Sequence, residues 1–196
     1  MEISRLSKML GIALAATLGL LAHARAGNVC FDAASFREIT EPMRLVDLSE
    51  EKADTPVDED KDPSNWRYVE VPRNEATENE DYAKKASASY TFTVPADGEY
   101  VLWARVKWHD ECSNSFRMSL NGNPPFVLGR NRTFRQWHWV RSPARLDQLQ
   151  LSEGENTLQL LFRETGPKID QIFLTGDRRY VPFGIEPETE KAQAEE

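Results

Sequence analysis

Histidine and cysteine, the side chains best suited to nucleophilic and metal chemistry, are scarce in this chain of 196 residues, which has three of the first and two of the second. Nucleophilic catalysis needs a nucleophile, a base and an orienting group held together. Neither His109 nor His138 lies in a recognisable serine or cysteine hydrolase motif, and there is no glycine-rich phosphate loop. Paired carboxylates for glycoside hydrolysis are not excluded, because the chain has 32 acidic residues. The scarcity of catalytic motifs favours a binding protein over an enzyme.

The loop "WHDECSNSF" has the most varied polar chemistry in the chain. It brings Trp108, Asp110 and Asn114 together, a mixture of aromatic and hydrogen-bonding groups that suits a polyol. His109 and Cys112 have a spacing that a metal could use, but one such pair is a weak signal. A turn anchored by a disulfide is the simpler interpretation of Cys112.

Tryptophans are the other candidates for a ligand site. Sugars present patches of C–H that pack on aromatic faces, while their hydroxyl groups need short polar partners. In "RNRTFRQWHWVRS", strand alternation places Trp137 and Trp139 on one face and His138 on the other. Core packing is the alternative role for each ring. The arginines of this segment fit either an acidic sugar or an internal charge pair, and both interpretations stay open.

The first 26 residues have the pattern of a secretory signal. "MEISRLSK" carries Arg5 and Lys8, "MLGIALAATLGLLA" is an apolar run too short to span a membrane well, and "ARA" precedes a cleavage expected after Ala26. The "GNV" before Cys30 lacks the small-residue pattern of a lipoprotein site. We expect a secreted or periplasmic protein without a membrane anchor.

Both cysteines, Cys30 and Cys112, follow this signal. Because disulfides persist in oxidising compartments, one bridge between them is predicted. It would close a long loop and stabilise the fold by about 2–4 kcal/mol. Free thiols or a metal pair are the alternatives.

The charge balance is strongly acidic, with a formal net charge of −8. This argues against nucleic acid or an anionic membrane as a partner. The stretch "DLSEEKADTPVDEDKDPSN" has no periodicity and predicts a solvated loop. The last residues, 186–196, predict a disordered acidic tail. The sequence leaves the oligomeric state open.

Short strands separated by turns dominate the rest of the chain. Segments such as "ASASYTFTV" and "NTLQLLFR" alternate with turn sequences such as "PADG" and "SEGEN". Eight to ten such strands predict an all-β fold, an antiparallel β-sandwich of the jelly-roll type over residues 27–185. In "YVLWARVKW", alternation predicts one core face and one solvent-facing set: Val101, Trp103, Arg105 and Lys107.

The order of these segments resembles a known group of modules. The strand after "DGEY", then "CSNSFRMSLNG", "WHWVR" and the ending "LSEGENTLQLLFRETGPKIDQIFLTGDRRYVPFG" are similar to carbohydrate-binding modules of families 6 and 35, which have a galactose-binding-like jelly roll. The similarity covers about residues 29–184. Members of this group are exported, non-catalytic and commonly appended to polysaccharide-degrading enzymes. The resemblance implies a carbohydrate-binding module-like protein that binds a poly- or oligosaccharide without altering it.

The resemblance also bears on a structural calcium. In these modules the first strand carries two acids beside an alanine and the last strand carries an aspartate, and together they hold the ion. Asp32 and Asp170 match two of these acids, whereas Ala34 stands at the third. Calcium takes about six to eight oxygen ligands, so a missing carboxylate weakens the site.

Asp170 also has an interpretation that needs no metal. Strand alternation would place this aspartate on the same face as Ile172 and Leu174. The carboxylate could then accept hydrogen bonds from backbone N–H groups, or pair with Arg163 or Lys168. The two interpretations are nearly balanced, with the metal-free one slightly favoured.

The sugar site departs from the family pattern at Lys168, where the family often has an asparagine that hydrogen-bonds the ligand. A lysine can donate to a hydroxyl or to a uronic acid carboxylate, but it cannot accept. The residues predicted to bind ligand are Trp108, Asn114, Trp137, Trp139 and Lys168. The sheet face with Trp103, Arg105 and Lys107 is a second candidate surface. The alternative function is a structural or protein-interaction sandwich that has lost sugar binding, which Ala34 and Lys168 favour.

Overall fold

A computed structural model describes residues 27–52, 54–143 and 149–189, and these form a sandwich of two antiparallel β-sheets. The predicted signal, residues 1–26, lies outside the described residues. In chain order the strands are β1 (Asn28–Asp32), β2 (Glu38–Thr40), β3 (Arg44–Asp47), β4 (Arg67–Glu70), β5 (Ser87–Val94), β6 (Gly98–Lys107), β7 (Ser115–Leu120), β8 (Phe126–Gly129), β9 (Trp137–Arg141), β10 (Leu149–Leu151), β11 (Gly154–Leu161) and β12 (Lys168–Thr175). Single helical turns α1 (Ser49–Lys52) and α2 (Glu80–Ala83), and 3-10 turns at Ser64–Trp66 and Glu75–Glu78, lie in the connections.

The predicted all-β jelly-roll sandwich is confirmed. One sheet has seven strands in the order β10-β6-β12-β4-β3, with β1 added on β12 and β9 added on β6. The other has five strands in the order β2-β5-β11-β7-β8. Among the described residues, no helix is long and apolar enough to cross a membrane.

Alternating side chains supply the core between the two sheets. In β5 and β11 every second residue is buried, and the partners Tyr90 and Leu158 face each other across the strand pair. From the seven-stranded sheet, Leu102 and Ile172 enter the same apolar cluster. Each such side chain contributes about 1.5–3 kcal/mol through its removal from water. Period-2 patterning therefore determines which residues form the core.

A β-bulge in β12 corrects the predicted orientation of Asp170. The register of β12 against β6 shifts between Ile169 and Gln171, so that Ile169 and Ile172 both lie in the core. A bulge inserts one extra residue and re-aims its neighbours. Asp170 consequently does not share the core face of Ile172, and its carboxylate meets Arg105 instead.

The outer face of the seven-stranded sheet is largely covered, so the predicted solvent-facing set is wrong. Arg105 is 1% exposed, because its guanidinium donates to the carbonyl oxygens of Glu59 and Asp62 in the connection between β3 and β4, which we call the acidic loop. Trp103 is also buried and packs with Phe173 in a second cluster. Of the predicted set, Lys107 keeps a partly exposed side chain.

The C-terminal segment 176–189 covers the far end of this outer face. The side chain of Gln171 donates to the carbonyl oxygen of Glu186 (2.8 Å) and accepts from its N–H (3.1 Å). Thr189 exchanges hydrogen bonds with the backbone of Cys30. The predicted disordered tail therefore does not begin at Glu186, since residues 186–189 are packed against the sheet; the remainder of the tail, 190–196, lies outside the described residues.

The predicted disulfide is wrong, because both cysteines are free thiols. Cys30 is buried opposite Phe173, while Cys112 is exposed in the loop after the other end of β6. Phe173 and Lys168, which stands opposite the last residue of β6, are five residues apart on β12, or about 16 Å at the rise of a strand. Disulfides need Cα atoms within about 7 Å.

Candidate functional site

A cleft lies at the end of the seven-stranded sheet where four loops meet. Two adjoining hollows of about 340 and 110 Å³ share His109, Gly166 and Lys168 in their walls. The remaining lining residues are Arg44, Glu70, Pro72, Arg73, Asn74, Lys107, Trp108 and Arg135. Most of these side chains are hydrogen-bond donors, so the cleft is suited to a polar ligand.

The loop after β6 forms one wall of the cleft and is fixed by local hydrogen bonds. The carboxylate of Asp110 accepts from the N–H of Cys112 at 2.9 Å, and His109 N–H donates to Ser113 O at 3.2 Å. Arg73 bonds Asp110 at 2.8 Å and links this loop to the loop after β4. This arginine holds the pKa of Asp110 below its ordinary value.

Gly166 allows the loop between β11 and β12 to approach the loop after β6 closely. Its φ of +96° lies in the left-handed region, and a Cβ there would come within 3.2 Å of Ser113 Oγ. The Gly166 N–H donates to Val71 O at 2.8 Å. A side chain at this position would be strained and would also narrow the cleft.

A row of side chains crosses five strands at the floor of the cleft. The register aligns Arg44 on β3, Glu70 on β4, Lys168 on β12, Lys107 on β6 and Trp137 on β9. We call these five residues the charged row. It is the part of the outer face that neither the acidic loop nor the C-terminal segment fully covers, and the strands hold it rigidly.

Lys168 is the predicted ligand residue that the structure places in the cleft with an accessible side chain. Its Nζ lies 3.1 Å from Tyr68 Oη, 4.5 Å from the centroid of the Tyr68 ring and 3.8 Å from a carboxylate oxygen of Glu70. The side chain is 33% exposed. The aromatic ring and the carboxylate orient the ammonium group while leaving it able to donate to a ligand.

Trp108 and Trp137 do not offer the exposed ring faces that were expected. Trp108 is fully buried in the core, and its indole N–H donates to Asn131 at 2.6 Å. Trp137 is 6% exposed, because the cationic groups of Arg105 and Lys107 lie 5.3 and 5.9 Å from its ring centroid. Trp108 lines the smaller hollow, but neither ring is exposed enough to offer a face on which a sugar could stack.

Trp139 and Asn114 also lie away from the open cleft. The Trp139 indole donates to Gly184 O at 3.0 Å under the C-terminal segment. Asn114 is buried, with its N–H bonded to Glu164 and its carbonyl oxygen accepting from Arg130. Of the five predicted ligand residues, the structure thus places Lys168 and the buried Trp108 in the lining of the cleft, and of these two Lys168 has an accessible side chain. Trp137 packs against Lys107.

The buried carboxylate of Asp170 forms an ion pair with Arg105. It is fully buried, and its Oδ2 accepts from the Ser64 N–H at 2.7 Å and from Arg105. Burial raises the pKa of Asp170 to about 7, although the Arg105 guanidinium opposes this shift. The expected partners Arg163 and Lys168 bind elsewhere, since Arg163 pairs with Glu164. The backbone N–H of Ser64 is a partner of the kind that the metal-free interpretation predicts for this carboxylate.

The oxygen atoms around Asp170 do not fit a calcium ion. Asp32 Oδ1 accepts from the Ala34 N–H (2.7 Å), and its Oδ2 accepts from Asn65 (3.1 Å) and Arg67 (3.3 Å). With Asp170 Oδ2 also engaged, Asp170 Oδ1 is the one carboxylate oxygen of this pair without a partner. The described residues contain no group of three acidic, histidine or cysteine side chains able to hold a metal. Calcium needs several free oxygens, not N–H donors directed into its site.

Comparison with known proteins identifies the fold. No family model and no curated protein sequence matches the chain. Among solved structures, it is similar to a native family 35 carbohydrate-binding module from Clostridium thermocellum, with a TM-score of 0.52, 18% identity, and coverage of 76% of this chain and 98% of that one. A Podospora anserina β-(1,4)-mannanase with a family 35 module gives a TM-score of 0.54 at 16% identity, over 83% of this chain and 30% of the enzyme. The fold is that of these β-sandwich modules.

The local sequence gives no signal for several of the residues that line the cleft. Arg44, Glu70 and Arg73 occupy ordinary strand and loop positions, and nothing in their local sequence indicates a site. They meet Lys168 because β3 and β4 pair beside β12, which is a long-range register. The sequence did single out His109, Trp108, Lys107 and Lys168, which also line the cleft.

Proposed function

We propose that this protein is a carbohydrate-binding module-like protein that binds a poly- or oligosaccharide in the cleft over the charged row. The cleft itself carries the proposal: it concentrates oriented donors from His109, Lys168 and Arg73 at one end of a sandwich whose fold is shared with carbohydrate-binding modules. Hydroxyl-rich ligands need such short, convergent polar partners.

Binding without chemical change is part of this proposal. Glycoside hydrolysis uses two carboxyl groups about 5–10 Å apart across a groove. Among the described residues that line the cleft, Glu70 is the one carboxylate, and Arg44 (2.7 Å) and Lys168 (3.8 Å) lie beside it. Glu70 therefore has no second carboxylate facing it across the groove among the described lining residues.

Export to the periplasm or the outside of the cell is also proposed, and it rests on the signal pattern of residues 1–26. No cofactor is proposed. Nucleic acid and membrane surfaces are not proposed as partners, because the chain carries a net charge of −8.

The test is a glycan array probed with the purified protein and with two variants. His109→Trp places a bulky ring in the shared wall of both hollows, and His109 is exposed enough for the fold to tolerate it. Lys84→Trp, at the exposed residue that follows α2, is the matched control.

Binding to a defined class of saccharide, lost in His109→Trp and kept in Lys84→Trp, supports the proposed function. Binding that is equal in both variants moves the site away from this cleft. A blank array for all three proteins favours the alternative, an interaction module without a sugar site.

A further inference from the structure

Two lysines stand directly opposite each other in the floor of the cleft. Lys107 on β6 and Lys168 on β12 are register partners in an antiparallel strand pair. Like charges at directly opposed positions destabilise a sheet. The arrangement is therefore unfavourable for the free protein unless something negative lies between or above the two ammonium groups.

The protein supplies little negative charge at this point. Lys168 has Glu70 at 3.8 Å, but the same carboxylate pairs more closely with Arg44 at 2.7 Å. Lys107 Nζ donates to the neutral carbonyl oxygen of Lys61 at 3.0 Å, and no carboxylate of the described residues forms an ion pair with it. Glu70 is thus shared between Arg44 and Lys168, and Asp62 raises the pKa of Lys107 by less than burial and Lys168 lower it.

Positive charge dominates the whole cleft, in a chain whose net charge is −8. The basic lining residues are Arg44, Arg73, Lys107, Arg135 and Lys168, against the single lining carboxylate of Glu70 among the described residues. Asp110 neutralises Arg73 at the rim. A cationic cleft attracts anionic ligands, whereas the acidic surface around it repels them.

Aromatic rings hold both lysines in place. Lys168 lies 4.5 Å from the Tyr68 ring centroid and Lys107 lies 5.9 Å from that of Trp137. The two rings contact each other edge to face with centroids 6.1 Å apart. Burial, and then the nearby Lys168, lower the pKa of Lys107. The ammonium groups are therefore preorganised, and a bound anion would offset their repulsion.

We infer that the cleft selects an anionic saccharide, whose carboxylate or sulfate group is held between the ammonium groups of Lys107 and Lys168. This inference rests on the proposed function, because it names the ligand class of the same cleft. Hydroxyl groups of the sugar then face Arg73 and His109 on the surrounding loops. The charged group contributes selectivity, since a neutral sugar leaves the lysine pair uncompensated.

The experiment compares matched probes by isothermal titration calorimetry. A galacturonic acid trisaccharide is titrated beside its carboxyl-reduced counterpart, and a sulfated galactan oligosaccharide beside its desulfated form. The proteins are the wild type, Lys107→Gln, Lys168→Gln, Lys107→Arg and the control Lys84→Gln, which removes an exposed lysine just after α2. Thermal unfolding of each variant verifies that it is folded.

We expect one of the acidic probes to bind more tightly than its neutral counterpart, and the pair that shows this difference identifies carboxylate or sulfate as the group. Each cleft lysine variant should weaken that binding by about tenfold or more, the range for a hydrogen bond to a charged group. Lys84→Gln should bind like the wild type, and Lys107→Arg, which keeps the charge, should retain most of the affinity.

Two results would overturn the inference. If acidic and neutral probes bind equally and the lysine variants change neither, the proposed carbohydrate site stands but its anionic selectivity is wrong. If no probe binds and the glycan array is also blank, both the selectivity and the proposed function fail.

Discussion

The two ends of the outer face of the seven-stranded sheet differ in how far other segments of the chain cover them. At one end of the seven-stranded sheet, the charged row remains partly open to solvent. At the other end, Trp103 and Phe173 lie under the C-terminal segment, where Tyr180 stacks on Phe173 with ring centroids 5.1 Å apart. Both ends belong to the same strands and the same face. Coverage by connecting segments, not strand patterning, makes one end a second core and the other a cleft.

The largest expected effect contrasts the two ends directly. Phe173→Ala removes a buried ring from the covered end and should lower the free energy of unfolding by about 3–5 kcal/mol. Lys107→Ala at the open end should change it by about 0.5 kcal/mol or less, because it also removes the like-charge contact with Lys168. Urea unfolding followed by tryptophan fluorescence measures both, and equal losses would contradict the contrast.

A smaller effect is expected where the C-terminal segment attaches. Gln171→Ala deletes both hydrogen bonds to the backbone of Glu186 and should destabilise the protein by about 1–3 kcal/mol. Gln159→Ala, at an exposed position on β11, is the matched control and should be near neutral. Amide hydrogen exchange should show faster exchange over residues 184–189 in Gln171→Ala alone. Unchanged exchange there would mean that other contacts hold the segment.

Between the two ends, Asp170 should make stability depend on pH. Its pKa is raised by burial to about 7 in the folded protein and returns to about its ordinary value of 3.8 on unfolding. Between these values the folded state binds more protons than the unfolded state, so this group makes the free energy of unfolding fall as pH rises from about 4 to about 7. Carboxyl ¹³C chemical shifts measured against pH follow Asp170 directly. A midpoint near 4 would show that Arg105 fully offsets the effect of burial and would contradict the predicted pH dependence.

The smallest expected effect concerns calcium. Because N–H donors occupy three of the four carboxylate oxygens of Asp32 and Asp170, the thermal unfolding midpoint should be the same in calcium chloride and in a chelator. Differential scanning calorimetry of the purified protein measures it. A midpoint that rises with calcium would show that Asp170 Oδ1 and its neighbours rearrange around the ion.

The sequence predicted the fold well and the site only in part. Turn sequences such as "PADG" and the alternation in β5 and β11 are local signals, so the sandwich and its core could be recognised without coordinates. Lys168 was identified from its position two residues before Asp170. The tryptophans were less predictable, because alternation indicates a shared face but does not indicate what covers that face.

By itself, the sequence determined the all-β class, the core faces and the acidic charge, since each follows from residue type and a period of two along a strand. Only the tertiary structure decided the bulge at Asp170, the separation of Cys30 from Cys112 and the alignment of Lys107 with Lys168. These depend on the register between strands that are distant in sequence, and register is set by the sum of many packing contacts. The cleft forms where the side chains aligned by that register lie between the four loops.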